Sequence, residues 1–258
     1  MSPARRRFFA AIAGLVAVAL AVAIVAFVRT REPPVEPVSQ DVPGPVLLVP
    51  GYGGSTASLK VLATALEENG REAEVVPLAG DGTGDLREQA QVLGAAVDEV
   101  RERTGSASVD IVGYSAGGVV ARLWVAELGG GDVARRVLTL GSPHHGTDVA
   151  GLAADVAPDA CPTACRQLAS DSDLLRRLNA GDETPDGPLW VSVWTRDDVI
   201  VVPPETAELE GALNFSVQSV CGDVRVEHGD LPRDPMVVAL AIDQLRQALP
   251  SRPTPAAC

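Results

Sequence analysis

Aromatic side chains are scarce in this sequence, because Phe, Trp and Tyr together make up 3% of its 258 residues. Small residues such as Ala, Val, Leu and Gly supply most of the apolar content, and they suit closely packed layers of helices and strands. The chain shows no internal repeat and no second region with its own core pattern. At this length we expect one domain around one core.

Basic residues are few outside the first 31 positions. Residues 32–258 carry 16 Lys and Arg against 34 Asp and Glu, which is a net charge of −18. Such a surface repels phosphate groups, so nucleic acid is excluded as a partner. The same charge keeps the molecule soluble by repulsion, and we expect a monomer.

The first 31 residues differ from the rest, because they hold five arginines and no acidic residue. An unbroken apolar run, 8–28, follows the arginines at 5–7 and would be about 31 Å long as a helix, close to the roughly 30 Å of a bilayer core. The run ends in a poor cleavage site, although alanines within it leave secretion after signal cleavage open. The positive charge ahead of the run predicts a cytoplasmic N-terminus. Residues 1–31 are therefore predicted to be a membrane anchor that places the rest outside the cytoplasm.

Only four cysteines are present, and their even number favours disulfides in an oxidising compartment. A Cys161–Cys165 bridge would close a very short loop that Pro162 helps to turn. Cys221 would then pair with Cys258 and pin the C-terminal tail, while the other two pairings stay open. A zinc site is less favoured because the three histidines lie elsewhere, and we expect no metal and no cofactor.

Five prolines between residues 32 and 45 predict a semi-rigid spacer ahead of a single domain, 46–258. Within that domain short apolar runs alternate with helix-length segments, which predicts an α/β fold with a mostly parallel sheet covered on both faces. Residues 147–188 lack a good strand, so we interpret them as an insertion over the sheet edge with a helix near 172–179. The strand candidates are 46–49, 72–76, 109–113, 137–141, 190–194 and 212–217, and the main helix candidates are 56–69, 85–104, a segment from the 113–118 turn to Leu128, and 235–249.

The segment GYSAGG, residues 113–118, joins a strand candidate to a helix candidate. Ligands of parallel sheets bind at the carboxyl ends of the strands, which is where this turn places Ser115. Glycines make the turn sharp enough to expose the serine oxygen above a helix N-terminus. This context is that of a nucleophile elbow, whereas Gly-x-Ser-x-Gly alone is a common turn.

A serine nucleophile needs a base and an acid that orients the base. The three histidines are His144, His145 and His228. After such an elbow the partners are expected in the order Ser, acid, His, which favours His228. The acid should follow a strand, as Asp197 and Asp198 do, and we choose Asp198 with Asp197 as the alternative.

Two backbone N–H groups are expected to bind the negative oxygen that forms during acyl transfer. One is that of Ala116, directly after the nucleophile. The other is predicted at Tyr52, in the glycine-rich loop PGYGG that follows the first strand. Glycines allow that loop to approach a substrate closely.

The segments VLLVPGYGG, GYSAGGVVARLW, LTLGSPHHGT and the late His-Gly together resemble the α/β-hydrolase fold over residues 46–249. Within that fold they are most similar to bacterial secreted lipases and esterases of the lipase class 2 group. The resemblance implies a triad of Ser115, Asp198 and His228, with Tyr52 and Ala116 as oxyanion donors and no metal in catalysis. It implies hydrolysis of carboxylic esters of acyl lipids through an acyl-enzyme.

Alternatives to this reading are a non-catalytic module that binds a lipid or partner, and an acyltransferase or thioesterase on the same triad. The insertion supplies a further expectation, because it leaves the sheet close to Ser115. Its apolar residues could line an acyl channel or could merely pack the insertion onto the body. These residues are Val149, Leu152, Val156 and Leu168.

Overall fold

Six strands form one sheet in the computed structural model of this protein, which describes residues 37–255 together with Arg5 and Gly14. The strand order is β2-β1-β3-β4-β5-β6, and each pair of neighbours is parallel. The predicted α/β architecture is therefore confirmed. The strands are β1 (Val46–Val49), β2 (Ala73–Val75), β3 (Val109–Tyr114), β4 (Ala134–Leu140), β5 (Leu189–Trp194) and β6 (Leu213–Ser216).

Apolar side chains cover both faces of the sheet, as the mainly apolar strand sequences predict. In β1 the side chains of Val46 and Leu48 belong to one hydrophobic cluster, and those of Leu47 and Val49 belong to the other. All four are fully buried, because successive side chains of a strand point to opposite faces and helices cover both. The sheet is thus the middle layer of three.

Helices connect the strands and cover the sheet. Asp85 caps the longest of them by accepting a hydrogen bond from the N–H of Arg87, and Gly105 ends it in the left-handed conformation. The last helix begins at Pro235 behind a second aspartate cap, Asp234. The helices are α1 (Ala57–Glu68), α2 (Leu86–Thr104), α3 (Ala116–Glu127), α4 (Asp148–Val156), α5 (Thr163–Gln167), α6 (Asp173–Leu178), α7 (Val217–Val220) and α8 (Pro235–Arg246).

Strand β4 starts three residues earlier than the apolar pattern predicts. Arg135 and Arg136 interrupt that pattern, yet both are fully buried. Arg135 forms an ion pair with Asp110 of β3, which is also buried, and Arg136 donates to the carbonyl of Gln244 near the end of α8. A buried arginine is tolerated where carboxylate and carbonyl oxygens receive its N–H groups, and a single sequence does not show those partners.

The insertion between β4 and β5 contains three helices, of which only α6 was predicted. Helix α4 was missed because it is only nine residues long, which is short for recognising a helical repeat of apolar residues. Thr147 starts it by accepting a hydrogen bond from the N–H of Val149. The Cys161–Cys165 disulfide is present beside α5, and Cys221 is also disulfide-bonded, whereas its predicted partner, Cys258, lies outside the described residues.

The chain divides into two units, Met1–Val35 and Glu36–Cys258. The predicted membrane anchor, 1–31, lies outside the described residues apart from Arg5 and Gly14. Among the residues that are described, no helix combines the length and the apolar character needed to cross a membrane. Part of the predicted spacer is described, and its Gly44 carbonyl accepts a hydrogen bond from Arg71 of the domain.

Candidate active site

Ser115 occupies the turn between β3 and α3 in a strained backbone conformation, with φ of 52° and ψ of −125°. Within the described part of the chain, no other residue except glycine has a positive φ. Such strain costs on the order of 1–3 kcal/mol and persists only where the surroundings enforce it. Here it places the serine oxygen at the carboxyl edge of the sheet.

The glycines around Ser115 are required by close packing. A Cβ atom added to Gly113 would lie 2.5 Å from the Cα atom of Gly118, and one added to Gly117 would overlap the carbonyl oxygen of Val49. A Cβ at Gly118 would overlap the hydroxyl of Ser142. Helix α3 can therefore begin directly against β1, β3 and the end of β4 only because these positions lack side chains.

The structure brings Ser115, His228 and Asp198 into one hydrogen-bonded chain. The distance from His228 Nε2 to Ser115 Oγ is 3.0 Å, and that from His228 Nδ1 to Asp198 Oδ2 is 2.6 Å. The histidine and aspartate side chains are 8% and 2% exposed. An ionised carboxylate only accepts, so Nδ1–H donates to Asp198 and Nε2 is left to accept the serine proton.

Backbone groups orient the Asp198 carboxylate. Its Oδ1 atom accepts hydrogen bonds from the N–H groups of Ile200 at 2.9 Å and Val201 at 2.8 Å. The second oxygen, Oδ2, is thereby directed at the imidazole. Both oxygens are used, as a buried carboxylate requires.

Asp197, the alternative acid, faces away from the imidazole. Its Oδ1 atom accepts from Arg225 at 3.0 Å, and its Oδ2 atom accepts from Gln218 at 3.1 Å and from the N–H of Val226 at 3.3 Å. The turn after β5 therefore gives the two consecutive aspartates different partners.

The other two histidines contact residues other than Ser115. His144 is fully buried, and its Nε2 atom contacts the Thr139 hydroxyl at 3.1 Å. Burial, and then the positive charge of Arg122, hold the pKa of His144 well below its usual range, so it stays neutral. His145 contacts Glu183 at 2.7 Å and the carbonyl of Thr206 at 3.3 Å.

The predicted oxyanion donors belong to two segments that adjoin Ser115. Ala116 is the first residue of α3, so its N–H has no partner within the helix and lies at the positive end of the helix dipole. The loop after β1 passes beside the nucleophile, because a Cβ atom on Gly51 would lie 2.9 Å from Ser115 Cβ. Within residues 37–255 the N–H of Tyr52 makes no backbone hydrogen bond, whereas that of Gly53 donates to Gly82.

The model of the family described as palmitoyl protein thioesterase matches residues 45–179, which is just over half of the chain. The chain belongs to the palmitoyl protein thioesterase family. The matched stretch includes Ser115 and both predicted oxyanion donors, whereas Asp198 and His228 lie beyond it.

Curated relatives of this palmitoyl protein thioesterase family member include two triacylglycerol lipases. Those of Pseudarthrobacter phenanthrenivorans and Burkholderia plantarii are each 34% identical over 122 residues, or 43% of this chain. The matches cover 37% and 33% of the two lipases, so the chain spans about a third of the length of these relatives.

Solved structures show the same fold. Lipase B of Aspergillus fumigatus superposes with a TM-score of 0.71 at 19% identity, over 82% of this chain and 54% of that one. The mature form of a Bacillus licheniformis lipase gives 0.65 at 18% identity, over 83% and 96%. These likenesses confirm the α/β-hydrolase fold that the sequence resembles.

Three of the four predicted rim residues of this thioesterase family member are exposed. Val149, Leu152 and Val156 lie on one stripe of α4 and are 43%, 66% and 73% exposed. Leu168 follows the second alternative, packing onto the body, because it is 6% exposed and belongs to the core cluster under the insertion. We therefore leave Leu168 out of the proposed rim.

The stripe on α4 begins next to the acid loop. The Thr147 hydroxyl donates to the carbonyl of Ile200 at 2.7 Å and accepts from the N–H groups of Val149 and Val202. Ile200 and Val199, which follow Asp198, are also exposed apolar residues. The insertion and the acid loop therefore present apolar side chains on the same part of the surface.

Gly141 is a site residue that the sequence reasoning missed. It has a φ of 56°, and a Cβ atom there would lie 3.3 Å from His228 Nδ1 and 3.4 Å from Asp198 Oδ2. The sequence shows only a glycine directly after a strand. Because glycine is common at that position, this feature does not indicate a site residue. No group of three or more His, Cys, Asp and Glu residues within the described ranges could hold a metal ion.

Proposed function

We propose that this protein is a serine hydrolase that cleaves carboxylic ester bonds of acyl lipids, with Ser115 as nucleophile, His228 as base and Asp198 as the acid that orients the base. The observation that carries the proposal is the hydrogen-bonded chain from Ser115 Oγ through both nitrogens of His228 to Asp198. A protein that only binds a lipid or a partner does not need a serine, a histidine and an aspartate linked by hydrogen bonds at a strained turn.

The proposed reaction has two halves. As Ser115 Oγ attacks the acyl carbon, its proton passes to His228 Nε2, and the negative oxygen binds the N–H groups of Ala116 and Tyr52. The C–O bond to the alcohol then breaks, and the imidazolium gives its proton to the leaving oxygen. In the second half a water molecule loses a proton to His228, attacks the acyl-enzyme and releases the carboxylic acid and the serine hydroxyl.

Two observations support an acyl lipid as substrate. The curated relatives are named triacylglycerol lipases, and the apolar stripe of α4 lies beside the acid loop. Thioester hydrolysis is a second candidate, because the family that matches is described as palmitoyl protein thioesterase. The same triad serves both reactions, since only the leaving atom differs.

The substrate class is tested by assaying the full chain with p-nitrophenyl esters of graded acyl length and with thioesters of the same acyl groups. We expect long acyl chains to give the higher kcat/KM. Each buried CH₂ group is worth about 0.8 kcal/mol, roughly a fourfold gain when fully buried. Absence of hydrolysis of every ester and thioester would contradict the proposed function.

Two variants of α4, Leu152→Ser and Val156→Ser, test the rim within the same assay. They should reduce the preference for long chains and leave short-chain hydrolysis unchanged. Val61→Ser is the matched control, because Val61 is a similarly exposed apolar residue on α1. An unchanged preference in both α4 variants would remove these residues from the rim.

We also propose that the domain works outside the cytoplasm, tethered by residues 1–31. The Cys161–Cys165 bridge supports this, since disulfides persist in oxidising compartments. In cells that produce the full chain, the domain should stay with the membranes through salt and carbonate washing and be digested by external protease. A domain that intact cells protect from protease would place it in the cytoplasm, and a soluble form starting near residue 30 would indicate a cleaved signal.

A further inference from the structure

His228 lies in a part of the chain with little regular secondary structure. Residues 224–227, which lead into it, form neither a helix nor a strand, and His228 begins a short 3₁₀ helix, His228–Asp230. Proton transfer from Ser115 depends on the imidazole position to within about an ångström, because small displacements of reacting groups cost large factors in rate. Other parts of the structure must therefore fix the imidazole.

The first fixed point lies two residues before the histidine. The Thr195 hydroxyl donates to the carbonyl of Val226 at 2.6 Å, and Asp197 accepts from the N–H of Val226 at 3.3 Å. Both side chains come from the turn after β5, so the segment that precedes His228 is hydrogen-bonded to residues next to the sheet. This attachment does not involve the imidazole or its own peptide.

The second fixed point is Tyr114, the last residue of β3 and the neighbour of Ser115. Its hydroxyl donates to the carbonyl oxygen of His228 at 3.2 Å. Its ring lies beside the imidazole, with 5.2 Å between the ring centroids and 36° between the ring planes. One side chain thus contacts both the backbone and the ring of His228.

The Tyr114 hydroxyl keeps its proton and can therefore always donate a hydrogen bond. Burial, and then the negative charge of Asp198, raise the pKa of its hydroxyl to about 12. The hydroxyl is therefore protonated over the whole range in which a histidine base works. Its hydrogen is used by the His228 carbonyl, so Tyr114 is not a donor to the oxyanion.

We propose that Tyr114 is a positioning residue, which holds the His228 imidazole between Ser115 and Asp198 through its hydroxyl and its ring. The inference rests on the proposed function and adds a role for the residue between the glycine and the serine of the elbow. The nucleophile and the support of its base are then consecutive residues, because Tyr114 ends β3 and Ser115 follows it in the turn.

Tyr114→Phe tests the hydroxyl, because phenylalanine keeps the ring. We expect kcat for a p-nitrophenyl ester to fall roughly fivefold, the worth of one net hydrogen bond, with KM unchanged. Tyr114→Leu, which also removes the ring, should cost more. Thr104→Val is the matched control, since it removes a hydroxyl that donates to a backbone carbonyl at the end of α2.

A second readout follows the imidazole itself. The Nδ1 proton that His228 shares with Asp198 should give a proton NMR resonance far downfield in the wild type. In Tyr114→Phe we expect this resonance to broaden or shift, because the ring is less firmly held, and Thr104→Val should leave it in place. A residue with a merely structural role would lower the unfolding temperature without moving this signal.

The outcomes separate the two proposals. Wild-type levels of kcat and an unmoved resonance in Tyr114→Phe would overturn the positioning role, while esterase activity of the wild type would still support the proposed function. If the wild type hydrolyses no ester or thioester, the proposed function fails, and the resonance still reports whether Tyr114 holds the imidazole. Should Tyr114→Leu fail to fold, Tyr114→Phe alone decides the matter.

Discussion

Ser115→Ala is expected to lower kcat/KM for ester hydrolysis about a million-fold, to the level left by binding and the oxyanion donors. The reason is that no other oxygen is hydrogen-bonded to His228 Nε2 in the described part of the chain. The fold should be unaffected. Alanine keeps the Cβ atom of serine, so it carries the same backbone strain at a φ of 52° and leaves no new cavity in the core.

A fluorophosphonate that forms a covalent bond to an activated serine provides the measurement. It should label the wild type and leave Ser115→Ala unlabelled. Ser106→Ala, which removes a hydroxyl bonded to the backbone of Ser108, is the control and should be labelled like the wild type. Labelling of Ser115→Ala, or hydrolysis within tenfold of the wild type, would show that a different nucleophile does the chemistry.

Asp198→Asn is expected to reduce kcat about ten-thousand-fold, whereas Asp197→Asn should cost about tenfold or less. The backbone explains the difference. The Ile200 and Val201 N–H groups require an oxygen at the Oδ1 position, so the new amide nitrogen must face His228 Nδ1. An N–H there stabilises the tautomer that has its proton on Nε2, and this tautomer cannot accept the proton of Ser115.

The two isosteric variants serve as controls for each other, because they stand at adjacent positions. Both should be compared by steady-state kinetics and by thermal unfolding. Asp197→Asn changes the contacts to Arg225 and Val226 and should act mainly on the stability of the loop before His228. The reverse ranking of activities would assign the acid to Asp197.

Much of the fold was predictable because its signals are local. Strands buried on both faces need largely apolar sequences; β1 is apolar throughout, and β3 is apolar apart from Asp110 and its last residue, Tyr114. The helices α1 and α2 show apolar residues on one face, and a cap or a glycine marks their ends. The elbow was equally visible, since strand, glycine, serine, glycine and helix are contiguous in the chain.

Other features depend on partners that are distant in the chain. The early start of β4 was missed because the groups that accept the N–H groups of the buried Arg135, which are the Asp110 carboxylate and two backbone carbonyls, are distant in the chain. For Leu168 the sequence left open a rim position or a core position, because an apolar residue in an insertion has no local pattern that distinguishes the two. The structure places its side chain in the core.

The sequence by itself determined the layered α/β fold and the one serine placed on a strained turn, because both depend on residues adjacent in the chain. The order of the partners along the chain favoured His228 and Asp198, but only the tertiary structure shows that their side chains meet at the serine while Asp197 contacts Arg225. This arrangement depends on where the loops after β5 and β6 meet β3, because Ser115 and His228 are separated by 113 positions in the sequence. The direction of a side chain in such a loop is decided by contacts like those of Ile200 and Tyr114, which exist only once the sheet has assembled.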